Sequence, residues 1–238
     1  MEETTRAIVL HKTNYSESSI VVQLYSLHFG KISLLVQGAK KKKAKSKIAL
    51  FEPLSILNIS GNFSKTDKLI RPTEISVTFP FQNIPTKIGK RMLVMFLAEI
   101  LQKSLKENIA EPDLFKFIER NLHYLELTEN KIEFFHLTFL MRLTKYLGFF
   151  PFYSKGKYFS INEGNFTNSI PSSGLYLQER EKEAFETIIQ STIDNCHEIQ
   201  LSNTDRKRVL NVVIEYYRVH IPEMGGIKSH EILETLFI

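Results

Sequence analysis

Six lysines, Lys40, Lys41, Lys42, Lys43, Lys45 and Lys47, crowd into eight positions directly after the apolar alternating stretch Lys31-Ile32-Ser33-Leu34-Leu35-Val36. Their chemistry is charge neutralisation. Cations at this density repel one another, so the run cannot bury itself and is expected as a solvated loop whose natural counter-ion is a polyphosphate. A merely solubilising loop has the same composition; the setting, a strand feeding a positive loop, favours the polyanion. Arg206-Lys207-Arg208 forms a second basic cluster at the expected start of a helix. Cations there oppose the helix dipole, which points to an anion site. Arg142 and Lys145, with Tyr146, lie close together along another expected helix and are candidates for a partner-binding edge.

Catalytic chemistry needs a constellation, and the chain has none of the common ones. It lacks Gly-x-Gly-x-x-Gly, Gly-x-x-x-x-Gly-Lys-Ser/Thr, Gly-x-Ser-x-Gly and His-Glu-x-x-His. His197-Glu198 and His230-Glu231 lack the second histidine that metal-ligand spacing requires. The aspartates, Asp67, Asp113, Asp194 and Asp205, are scattered near expected turns and helix starts, which argues against the converging acids of a two-metal nuclease. The reading is of a protein that is not an enzyme and holds no cofactor or metal.

The elements that position these residues follow from composition and period. With 238 residues and 43% apolar content, the chain can bury one large or two modest cores. Residues 1–80 carry 12 Lys/Arg against 6 Asp/Glu, and residues 81–238 carry 19 against 20, so the net +5 resides in the first third. That asymmetry predicts a basic N-terminal domain that meets a polyanion and a neutral body with another task. The single cysteine, Cys196, excludes an intrachain disulfide and a cysteine-based zinc site and fits a reducing cytoplasm. No signal-peptide order and no apolar run of membrane-spanning length is expected.

Short alternating segments predict strands over Arg6–Lys12, Ser19–Ser26, Lys31–Val36, Phe51–Ser60 and Lys68–Val77, punctuated by Gly30, Gly38 and Gly61-Asn62. This number of strands in so short a span suggests a small barrel. One face is apolar; the other offers Arg6, Gln23, Tyr25, Lys31 and Ser33, a blend suited to base stacking and phosphate contact. Pro80 and Pro85 end the strand pattern and set an expected boundary between a domain of residues 1–80 and a helical domain of residues 81–238. Helical periods then run over Lys87–Glu107, from Pro112 through Leu125, over Glu129–Leu147 with Gly148 as the stop, over Gln178–Ile193 and over Thr204–Val219, with a short helix after Lys228-Ser229. Residues 149–177, rich in Asn, Ser, Gly and aromatics, read as a hairpin-bearing insertion. The fold class is α+β.

Several stretches resemble the bacterial recombination mediator family RecO. They are Arg6-Ala7-Ile8-Val9-Leu10, Tyr15-Ser16-Glu17-Ser18-Ser19, Leu24-Tyr25-Ser26, Gly30-Lys31 and Gly38-Ala39-Lys40. The likeness continues more weakly through Leu147-Gly148-Phe149-Phe150-Pro151 and Lys228-Ser229. The resemblance spans nearly the whole chain and implies a five-stranded OB-fold barrel followed by a helical domain. It implies a protein that binds single- and double-stranded DNA without sequence preference, anneals complementary strands and, with RecR, loads RecA onto DNA coated by single-strand-binding protein. That coating protein's C-terminal tail would be taken by the helical domain, with Arg142 and Lys145 as the candidates. DNA contact would fall on Arg6, Lys31 and the lysines of the run, with Arg206, Lys207 and Arg208 as a second cluster. Many relatives carry a four-cysteine zinc site where this chain has Phe152–Gly174 and no cysteine, so the aromatics must hold that segment instead. A cytoplasmic, nucleoid-associated repair protein is the expectation. An RNA-binding barrel acting in ribosome assembly or translation is the alternative, and the helical domain's taste for an acidic, Phe-terminated peptide separates the two.

Overall fold

Alternation in the first third produces five strands: β1 Glu3–Asn14, β2 Ile20–Ser26, β3 Gly30–Val36, β4 Ile56–Gly61 and β5 Pro72–Phe79. The computed structural model describes residues 2–38, 48–64, 69–172, 174–229 and 233. The lysine run from Lys40 to Lys47 and the expected helix after Ser229, apart from Leu233, therefore lie outside the described residues. Neighbouring strands pair antiparallel, in the order β3-β2-β1-β4-β5. The edges meet through Ile70, whose N–H donates to Ser33 O at 2.9 Å while its O accepts from Leu35 N–H at 2.8 Å. This contact curls the sheet onto itself and removes its open edge there.

Inside sit Val22, Leu24, Ile32, Leu34, Leu57 and Ile59, each at most 1% exposed, as the period-2 pattern dictates. Gly30 turns β2 into β3 at φ +67, and a Cβ there would come within 2.5 Å of the Ile109 backbone. No other residue fits that approach. The fourth strand starts later than the pattern suggested. Phe51 to Leu54 form a turn, with Leu54 at φ 59, because Phe51 plugs the barrel core instead of continuing the strand.

Helices follow Phe79: α1 Asn83–Thr86, α2 Ile88–Ser104, α3 Pro112–Leu127, α4 Phe135–Leu147, α5 Glu179–Gln190 and α6 Asn203–His220. The compact units, however, are Met1–Thr128 and Glu129–Ile238, so α1, α2 and α3 belong with the barrel although strands give way to helices soon after Phe79. Glu126 ties them together. Burial alone would push its carboxyl up, but the N–H groups of Gln82, Asn83 and Ile84 donate to it at 2.7–2.9 Å and, with Lys90 beside it, hold it below the usual range.

In the second unit α4 stops at Gly148, φ 86, as its sequence signal indicates. Its start is six residues later than Glu129. Between α4 and α5 lies a three-stranded antiparallel sheet, β6 Tyr158–Ser160, β7 Asn165–Thr167 and β8 Tyr176–Gln178, in the order β7-β6-β8. Aromatics fill the space around it: Phe159 lies 4.8 Å from both Phe166 and Phe185, and Phe149 stacks on His220 at 5.1 Å. Tyr216 Oη donates to Phe149 O at 2.6 Å. Among the described residues no cluster of His, Cys, Asp and Glu is arranged to hold a metal ion.

Candidate nucleic-acid interface

β3 leads through Gln37 into the lysine run, and the chain returns from it at Ile48. Gln37 and Leu50, which precede and follow the run in the chain, line one groove of about 360 Å³, walled by Leu35, Gln37, Leu50 and Phe51 on one side and by Arg71, Thr73 and Glu74 on the other. Arg71 is exposed and has no carboxylate partner among the described residues. It was missed in the sequence because a lone arginine at a strand start carries no pattern. Apolar floor and free guanidinium suit a nucleotide chain, which offers both apolar base faces and phosphates.

The mixed face of the barrel is a different matter, and the structure corrects its reading as open surface. Arg6 donates both ways to Glu119 of α3, at 2.7 and 2.8 Å, and its guanidinium lies 5.6 Å from the Phe115 ring. Lys31 donates to Gln102 O at 2.9 Å and pairs with Glu107 at 3.0 Å, its side chain only 12% exposed. Gln23 accepts from Gln102 at 3.0 Å. Tyr25 is buried against Phe115, ring centroids 6.3 Å apart, and its Oη accepts from Glu111 N–H at 3.2 Å. Burial pushes that phenol up to about 12. This polar, aromatic face is the seat of α2 and α3.

The Arg206–Arg208 cluster divides as helix geometry requires, since successive residues point about 100° apart. Arg206 is 5% exposed, with Glu133 at 4.0 Å, so it is not the surface anion contact expected of it. Lys207 is half-buried and Arg208 exposed. Ser202 caps the N-terminus of this helix, its Oγ accepting from Asp205 N–H at 3.1 Å. The Arg180 side chain, donating to Asp205 at 2.6 Å, holds that carboxyl below its ordinary value.

Arg142 faces the C-terminal end of α5, donating from Nε to Ser191 O at 2.8 Å and from an Nη to Ile189 O at 3.1 Å. It caps orphan helix carbonyls. Lys145 remains exposed, its Nζ 4.6 Å from the Phe150 ring centroid. A larger groove of about 510 Å³ on the first unit, lined by Val77, Phe79, Phe81, Met95 and Arg91, was also not legible from the sequence.

Comparisons with known proteins agree along the chain. The family model described as recombination protein O, N terminal, matches residues 1–81, and the one described as recombination protein O, C terminal, matches residues 86–230. A protein named DNA repair protein RecO from Flavobacterium psychrophilum is 35% identical over 240 residues, covering 100% of both chains. Proteins of the same name from Bacteroides fragilis and Phocaeicola vulgatus are 32% and 31% identical, again with 100% of each chain covered. No helix among the described residues is long and apolar enough to cross a membrane. With both family models in order and full-length relatives above 30% identity, this chain belongs to the RecO family.

Proposed function

We propose that this chain is a DNA-repair mediator whose barrel is an OB-fold and whose work is done by binding rather than by catalysis. The sheet order β3-β2-β1-β4-β5 and the edge contact at Ile70 support the OB-fold reading. The observation that carries the function is the groove beside Arg71, lined by Gln37 and Leu50, which lie just before and just after the lysine run in the sequence. Single- or double-stranded DNA lies along it, and each phosphate neutralised there releases counterions, so binding is independent of sequence and weakens steeply with salt. Two strands held on basic surfaces of one protein lose their mutual repulsion and anneal faster.

Arg6 and Lys31 serve this surface indirectly, by seating α2 and α3 on the barrel; Lys207 and Arg208 remain candidates for contacts on the second unit. RecR is the partner with which the protein loads RecA onto coated DNA, and the acidic tail of single-strand-binding protein docks near Lys145, with Arg142 holding the end of α5 in place beside it.

The test is fluorescence anisotropy with labelled single-stranded DNA across a salt series. Changing Lys40, Lys41, Lys42, Lys43, Lys45 and Lys47 to Ala flattens the log–log salt slope by about 4, at about 0.7 per phosphate contact, and lowers affinity on the order of a thousandfold. Arg71→Ala alone flattens it by about 0.7. An unchanged slope and affinity in both variants removes the groove as the DNA site.

A further inference from the structure

Phe152 is 74% exposed, the most exposed large hydrophobic side chain among the described residues, and Tyr153 next to it is 50% exposed. Lys155 and Lys157 follow, both exposed and neither with a carboxylate partner among the described residues. Single exposed hydrophobics are ordinary on protein surfaces. Two adjacent aromatics followed by two free cations are a more specific arrangement.

The backbone under them is held in place. Phe152 N–H donates to Gly164 O at 2.8 Å, and Ser154 Oγ donates to Phe166 O at 3.2 Å. At Gly156 a Cβ would come within 2.6 Å of Thr167 N, so the segment lies directly on the backbone of β7. The Tyr153 ring meets Phe166 edge-on at 5.5 Å and its Oη accepts from Gln190 Nε2 at 2.9 Å. The backbone that carries both aromatics and the Tyr153 ring are thus held in place, so a ligand that stacks there has little chain ordering left to do.

A flat apolar group joined to an anion matches this site, and an unpaired nucleotide is that ligand: its base stacks and its phosphate meets a lysine. A duplex, whose bases already stack on one another, offers no open base face to an aromatic ring. We propose that Phe152–Lys157 is a second single-strand-binding site, carried by the second compact unit. The chain then holds one strand on each unit, which raises the local concentration of complementary strands. This inference rests on the DNA-binding reading above.

The chain contains no tryptophan, so Phe152→Trp introduces its sole indole. An oligonucleotide is titrated into the full chain carrying that change, with anisotropy reporting binding and indole emission reporting stacking. Single strand quenches the emission strongly, and duplex of the same sequence binds without quenching it. Phe152→Leu keeps apolar bulk but loses the aromatic face. In the six-lysine-to-alanine background it weakens single-strand binding about tenfold, and in the otherwise unaltered chain it slows annealing of complementary strands by a similar factor. Unchanged helicity and thermal midpoint show that either variant is folded.

Bound single strand with unquenched indole, and a Leu variant that binds and anneals like the parent, overturn the site and leave the patch to a protein partner. If the unaltered chain gives no anisotropy change, the DNA-binding reading itself fails and this inference falls with it.

Discussion

Two regions of this molecule offer nearly the same side chains and do opposite things with them. On the barrel, Arg6, Lys31 and Tyr25 make a basic, aromatic face; in the second unit, Phe152, Tyr153, Lys155 and Lys157 make another. The first is closed. Glu119, Glu107, Phe115 and the carbonyl of Gln102 meet each polar or aromatic group from α2, α3 and the loop between them. The second is open, with its lysines unengaged among the described residues and its phenylalanine largely in water. Composition is therefore not what makes a nucleic-acid surface. What decides is whether the fold itself supplies the counter-charge and the stacking partner.

The comparison is broken most severely at Phe115, fully buried between Tyr25 and Arg6. Phe115→Ala is expected to cost about 4 kcal/mol in urea unfolding of the first unit, through the cavity and the lost seat of α3. Arg6→Ala leaves Glu119, which is mostly buried, without its partner and costs about 2 kcal/mol. That is less than a fully buried pair would cost, because the Arg6 side chain is 37% exposed. The same variant keeps the single-strand salt slope of the parent; a slope flattened by about 0.7 would show that Arg6 reaches phosphate after all.

Acid separates the units in another way. His136 is buried in the second unit, and burial, with the Arg206 cation adding to it, pushes its pKa down to about 3. The unfolded chain takes up this proton below about pH 6.5 and the folded chain does not, so folding is favoured above that pH and loses stability as pH falls from about 6.5 toward 3. The slope is about 1.4 kcal/mol per pH unit for one proton. His136→Leu should lose about 2 kcal/mol less than the parent between pH 7 and pH 5, read from urea midpoints at the two values.

The smallest stability effect belongs to the open patch. Lys155→Ala with Lys157→Ala changes stability by less than about 0.5 kcal/mol yet flattens the single-strand salt slope by about 1.4. Arg6 and this lysine pair thus form a crossed test, one change moving stability without binding and the other binding without stability.

Much of this was legible without coordinates. The strands of the barrel showed in period 2, the helices in their three-to-four spacing, and the end of α4 in Gly148. The resemblance to the RecO family rested on short segments that all fall within the two stretches the family models match, residues 1–81 and 86–230. Other readings were beyond the sequence. A helix period reports an apolar stripe but not which surface the stripe covers, so the grouping of α1, α2 and α3 in one compact unit with the barrel showed only in the fold, while the family models divide at residues 81 to 86, near the boundary the sequence suggests. Arg206 looked like its neighbours because a three-residue cluster has no phase until the helix is packed.

The charges of the lysine run belong to the sequence alone, because like charges so close together repel and resist burial whatever the fold. So does the absence of a cysteine metal site in the Phe152–Gly174 segment. Which of the remaining cations and aromatics are free was decided only by tertiary structure. A polar side chain on a strand is equally content with water or with a carboxylate delivered from a helix more than a hundred positions away, as Arg6 is with Glu119. Local pattern carries no record of that choice.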